Sequence, residues 1–241
     1  MVEEKSNSKI AIVFPTRNRP EKLTRFVESA RKMAEDPSNL HFYLYVDSDD
    51  RLTIPSITTL ADKYPAQISC LVGPRIMHSQ TANMLIPYVK EDIFYLGADD
   101  LIIRTKGWDK VIIKYFEEHE DKVVMAYGDD LFQKELATHP IIHRKWVEAV
   151  GYLTPPYFES DFADTWLNDL AQKLGRKQKL KFTNEHMHHF AGKSEVDSTL
   201  VESRNRYNRQ DPTLVYQCLE PVRQRDAGRL KKVIKELNSN D

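Results

Sequence analysis

Five short apolar runs, separated by segments of helical period, constrain the fold of this chain more than any other feature. Lys9–Phe14, His41–Val46, Ile68–Val72, Ile93–Leu96 and Lys122–Tyr127 are too short for buried helices and read as buried strands. Between the first two, Pro20 opens a helix, where its missing N–H is harmless, and Leu23, Phe26, Val27 and Ala30 fall on one face. Residues 54–64, 79–89 and 107–119 also read as helices, the last with Trp108, Ile112, Tyr115 and Phe116 on one side. Strand and helix alternate, which predicts an α/β fold with a mostly parallel sheet, helices on both faces and right-handed crossovers. The first strand is expected to stop at Pro15, because proline donates nothing to a ladder.

Three of these runs end in acids: Asp47-Ser-Asp49-Asp50, Asp99-Asp100 and Asp129-Asp130. Strand C-termini of a parallel sheet share one edge, where open α/β sheets bind ligands, so these carboxylates are expected in one cleft. Paired acids at the end of a buried strand repel unless a cation neutralises them. Mg²⁺ or Mn²⁺ does this with one or two carboxylates and the phosphates of a substrate, so Asp99 and Asp100 point to a metal–diphosphate site. The competing reading is turn chemistry, since Asp readily bonds its own backbone.

The bulk properties narrow the classes. With 241 residues and a formal net charge of −1, the chain has room for one large α/β domain and carries no overall basic field to attract nucleic acid. Its two cysteines, Cys70 and Cys218, form no metal-spaced pair and no disulfide framework. The polar start is not a signal peptide, and no apolar run reaches the roughly 18 residues of a membrane span, so a cytoplasmic setting is the default. Beyond residue 130 the pattern loosens. Helices are expected over 143–150 and 164–174, with Gly175 as the stop, and a short strand over 179–182. Residues 1–192 are taken as the catalytic domain, and 193–241 as a helical or partly disordered extension.

Together these motifs resemble glycosyltransferase family 2, whose fold is the Rossmann-like GT-A domain. Val13-Phe-Pro15-Thr16-Arg17-Asn-Arg19 resembles the family's opening strand and donor loop, and Tyr45-Val-Asp47-Ser-Asp49-Asp50 its nucleotide motif. Arg75 with Asn83 resembles the segment before the metal strand, and Tyr95-Leu-Gly-Ala-Asp99-Asp100 the metal motif. His186-Met-His188 lies where members often place a further metal ligand. The helix beginning near Asp164 resembles the motif that supplies the catalytic base. Gly97 departs from the family, which usually has an acid there.

The resemblance implies sugar transfer from a nucleoside diphosphate, UDP favoured, to an acceptor hydroxyl on a glycan, nucleobase or protein, with inversion. Mn²⁺ or Mg²⁺ on Asp100, with Asp99, His188 or His186, would act as a Lewis acid on the leaving diphosphate. Asp47 would bind uracil or ribose, and Arg17 and Arg75 the donor. Pro15, Thr16, Asn83 and Asp99 complete the expected donor contacts. Asp164 is the expected general base, with Asp161 and Glu159 as competitors. Trp166 is expected to pack. Other readings are a nucleotidyltransferase, disfavoured because residues 15–20 lack the usual glycines, a transferase acting on DNA bases, and a GT-A-like scaffold without catalysis.

Overall fold

The computed structural model of the chain describes residues 8–207 and 210–237. β1 (Ile10–Thr16) lies between β2 (Leu40–Asp47) and β4 (Ile93–Leu96), parallel to both. β3 (Ile68–Gly73) extends the parallel part beyond β2. Past β4 the sheet becomes mixed, through β7 (Ile141–His143), β6 (Met125–Asp129), β8 (Lys177–His186) and β5 (Leu101–Ile103), in the order β3-β2-β1-β4-β7-β6-β8-β5. β7 is antiparallel to both β4 and β6, so β6 runs the same way as β1.

The period-two pattern of β1 splits the core in two. Ile10, Ile12 and Phe14 face α1 (Pro20–Met33), α2 (Thr53–Lys63) and α4 (Trp108–Glu117), packing with Leu23, Phe26, Ile57 and Trp108. Ala11 and Val13 face the other side, covered by α3 (His78–Leu85), α5 (Arg144–Val150) and α6 (Ala163–Leu174). α3 ends early because Pro87 interrupts the helical pattern, and a 3₁₀ turn over Ile86–Tyr88 follows.

Two expected boundaries are corrected. β1 runs through Pro15 to Thr16. Gly97 N–H donates to the Val13 carbonyl, so the backbone polar groups of residues 13 and 15 point toward β4, where the ladder has already ended at Leu96. The missing N–H of Pro15 therefore leaves no ladder bond unmade. β6 begins at Met125 rather than Lys122, because Lys122 has φ 60° and Val123 N–H bonds the Asp121 carboxylate instead.

After residue 192 the described chain forms α7 (Ser198–Tyr207), α8 (Pro212–Cys218) and α9 (Glu220–Leu237). α9 packs on α5 and α6. A buried chain of polar groups fixes it there. Trp166 Nε1 donates to Tyr152 Oη at 2.8 Å, and Tyr152 Oη donates to Asp226 at 2.8 Å. Arg223 lies over the Trp166 ring and donates to Asp169 at 3.0 Å. None of the helices over the described residues is long and apolar enough to cross a membrane.

Asp226→Ala should lower stability by about 1–3 kcal/mol, because it leaves the buried Tyr152 hydroxyl without its acceptor. Arg229→Ala, at a half-exposed partner of Asp226, should change it by about 0.5 kcal/mol or less. Urea denaturation of both variants checks the contrast.

Candidate active site

A cleft of about 560 Å³ opens at the C-terminal edge of the parallel strands. Its position follows from register. Thr16 pairs with Val46, which places Asp47 beside the loop after β1, and Val13 pairs with Leu96, which starts the 97–100 segment at the same edge. Pro15, Thr16, Arg17, Asp47, Arg75, Asp99, Asp100, Asp161, Asp164, His186 and His188 all line this cleft.

On the β2 side, Arg17 joins Asp47 at 3.3 Å and also pairs with Asp49, while Arg75 approaches the same Asp47 oxygen at 3.6 Å. The nearby acids have separate tasks. Asp50 is fully buried and accepts from the N–H groups of Asn18, Leu52 and Thr53, so it caps α2 and ties the 16–19 loop to it. Burial opposes its charge, but these hydrogen bonds prevail and hold its carboxyl below the usual range.

In the centre, Asp99 is buried and both its oxygens are engaged. Oδ2 accepts from Thr16 Oγ1 at 2.9 Å, and Oδ1 from Arg19 Nη1 at 3.1 Å. Burial pushes its carboxyl up, with the Asp100 charge adding to this and Arg19 opposing it. Asp100 is 3.4 Å from His186 Nε2. Burial works against its charge too, but the His186 contact outweighs this and holds it low. His186 reaches Asp100 because β5 and β8 pair with Leu101 opposite His186, and Met187 N–H donates to the Asp100 carbonyl.

His139, fully buried, bonds the Leu96 carbonyl, and its ring centroid lies 4.8 Å from that of His186. His188 stacks on Phe132, and burial, with the neighbouring histidines, lowers it to about 4, so it is neutral at pH 7. His186 Nδ1 and His139 Nε2 are buried without hydrogen-bond partners among the described residues.

A carboxylate and neutral imidazoles suit Mn²⁺. Among the described residues, however, no group of three or more His, Cys, Asp or Glu side chains is arranged to hold a metal ion. An ion held by Asp100 and these histidines would need further ligands from outside the protein. Asp99, expected as a ligand, lines the cleft and bonds Thr16 and Arg19.

At the opposite wall, Asp164 lies in the first turn of α6, one residue inside it, and accepts from Thr165 N–H at 2.7 Å. Burial raises its pKa, and the Asp161 charge contributes to the rise. The residue before the helix, Phe162, lines the cleft with φ 75°, a conformation that bulky residues seldom adopt outside functional sites. Asp161 pairs with Arg204. Trp166 is fully buried, as expected of a packing residue.

Some expected residues stand elsewhere. Asn83 does not line the cleft; its carboxamide bonds the Leu153 and Thr154 backbone and holds that loop on α3. Asp129 and Asp130 also stay out of it. Asp130 caps the turn after β6 and accepts from Thr138, and Asp129 pairs with Lys179. Conversely, Arg19, Lys22 and His139 line the cleft without having been singled out. The signal for the first two was their position around the helix-opening Pro20; nothing in the sequence marks His139.

The Gly97 departure has a steric basis. A Cβ there would lie 3.0 Å from Ile12 Cγ2 and 3.2 Å from both Phe14 and Phe26, so a side chain at 97 would enter the core, although the Gly97 backbone lines the cleft.

No family model matches the chain, and no curated protein matches it in sequence. Solved structures do resemble it. A mannosyltransferase from Pyrobaculum calidifontis, solved with GDP-mannose and Mn²⁺, superposes with TM-score 0.60 at 9% identity, over 98% of this chain and 74% of that one. TarS from S. aureus, residues 1–349, gives TM-score 0.54 at 12% identity, over 97% and 92%. Its complex with UDP-GlcNAc gives 0.53 at 14%, over 90% and 72%. The fold is thus that of the GT-A-type glycosyltransferases.

Gly97→Asp should destabilise the protein by about 3–5 kcal/mol, because the new carboxylate enters an apolar core with no partner. Urea denaturation, compared with Gly97→Ala, separates the charge from the added volume.

Proposed function

We propose that this protein is a glycosyltransferase that moves a sugar from a nucleoside-diphosphate donor, UDP favoured, to an acceptor hydroxyl, with inversion and with Mn²⁺ or Mg²⁺ as cofactor. The reading rests on one observation. A single cleft at the strand ends of a GT-A fold joins Arg17, Asp47 and Arg75, the Asp100–His186 pair and the half-buried acid Asp164. Nucleotide, diphosphate and acceptor chemistry are then in line within one cavity of substrate size.

Asp47 accepts from the base or ribose of the nucleotide, while Arg17 and Arg75 hold it in place. A metal ion held by Asp100 and His186, with His188 beside them, would offset the charge that grows on the leaving diphosphate. Asp164 removes the acceptor proton as the acceptor oxygen bonds the anomeric carbon and the bond to diphosphate breaks. One displacement inverts the anomeric centre. Burial equips Asp164 for this, because a carboxylate with raised pKa is a stronger base. The identity of the acceptor is set by the wall formed by residues 130–165 and the segment beyond 192. A second reading, a sugar-nucleotide-binding protein without catalysis, draws on Gly97, since the acid usual there cannot be rebuilt in this core.

Thermal denaturation with UDP-, GDP-, CDP- and dTDP-sugars, each with Mn²⁺ and with chelator, tests the donor site. At about 100 times its dissociation constant, one donor class should stabilise by roughly 2.7 kcal/mol, and chelation should remove the shift. No shift with any donor would refute the reading. Asp164→Asn should lower kcat by about 10²–10⁴-fold with donor binding unchanged. A donor that binds without transfer to any acceptor would favour the second reading. Because its folded pKa is raised, Asp164 becomes protonated at higher pH than an exposed carboxylate. kcat/KM should therefore fall on the acid side earlier than a model aspartate would dictate, and the pH profile measures this.

A further inference from the structure

Cations that line the cleft are already matched by carboxylates, and one segment supplies two of these, Asp197 and Glu202. Asp197, just before α7, accepts from Arg19 Nε and Nη2 at 2.8 Å each and from Lys22 Nζ at 2.6 Å. Glu202, on α7, accepts from Arg75 Nη1 at 3.0 Å and lies 3.5 Å from Arg17 Nε. Thr199 Oγ1 donates to the Arg17 carbonyl at 3.0 Å. Ser194, Glu195, Leu200 and Ser203 of the same segment also line the cleft.

Three features make this a substrate-like contact. Arg19 and Lys22 flank the start of α1, where Pro20 is the first helical residue and the Arg19 side chain makes no capping hydrogen bond. A helix N-terminus with a guanidinium fork and an ammonium attracts a doubly or triply charged oxyanion more strongly than a single carboxylate. Burial works against the charge of Asp197, yet the hydrogen bonds from Arg19 and Lys22 hold its carboxyl well below the usual range. Finally, the segment is attached mainly by charge. Val196 and Val201 are exposed, and it leaves the body at Gly192, a left-handed turn with φ 67°.

We propose that Arg19 and Lys22 form a diphosphate-binding pair, and that Asp197, supported by Glu202, occupies it as an internal competitor until a donor displaces α7. The inference rests on the donor-site reading above and adds its regulation. The open form is a fraction of the population, and donor affinity is reduced by that fraction.

The test is calorimetric titration of the full chain with inorganic pyrophosphate in chelator, and with UDP and GDP in the presence of Mn²⁺, for wild type and for D197N/E202Q. Both substitutions keep side-chain shape, and D197N alone serves if the double variant loses its fold. Removing the competitor should tighten pyrophosphate and the preferred nucleotide roughly tenfold. Equal or weaker binding of both by the variant would overturn the competitor while leaving the functional reading intact. Tenfold tighter pyrophosphate with no nucleotide bound by either form would uphold the pair and overturn the functional reading. Absence of pyrophosphate binding by both forms would overturn the pair itself. Hydrogen exchange on wild type gives an independent readout: pyrophosphate should speed exchange over 197–205, whereas protection there would mean that α7 closes over the anion instead of yielding to it.

Discussion

The Arg19 guanidinium, held between Asp99 and Asp197, is the interaction on which the active-site edge depends. A parallel sheet that ends several strands in acids concentrates like charge where the backbone is least protected by neighbours. A solvated cation would be exchanged for water, but Arg19 is four-fifths buried and its planar fork meets two carboxylates at once. Burial opposes its charge, and the Asp197 and Asp99 contacts more than restore it. With Asp99 satisfied by Arg19 and Thr16, Asp100 is left to face His186. The two adjacent acids, both in the cleft, thus have different partners, Asp99 the arginine and Asp100 the histidine.

The second constraint is register. β1 lies between β2 and β4 in parallel, so these strands end at one edge of the sheet, β4 level with Val13 and β2 just past Thr16, and the loops after them meet there. β8 approaches from further along the chain and is anchored on both sides, parallel to β6 and antiparallel to β5. The pairing of Leu101 with His186 carries a histidine some eighty residues distant in sequence to the side of Asp100. α9 works at longer range, since it holds Trp166 through Tyr152 and Asp226 and so steadies the helix whose first turn carries Asp164.

Acids that look alike in the chain divide by geometry. Asp47 and Asp100 face the cleft, whereas Asp50 and Asp130 are buried caps for the turns that follow β2 and β6. Both behaviours are natural to aspartate, because one short carboxylate can accept from its own backbone or project past it. Only the direction of the strand end distinguishes them.

By itself the sequence determined the alternation of strands and helices, the parallel central strands, the edge at which a ligand would bind and the residues Arg17, Asp47, Asp100 and Asp164 that line it. Those features are local: periodicity, helix-opening proline and acids at strand ends follow from a few neighbouring residues. The tertiary structure alone decided that β1 continues through Pro15, that β5 and β7 are strands of three residues, that Asn83 is a brace, and that Arg19 and Asp197 meet. These depend on partners far apart in the chain. A proline is harmless only where a neighbouring strand has ended, and a three-residue strand exists only because another offers it a ladder. Likewise, an arginine has no defined role until the fold selects which carboxylates it can reach.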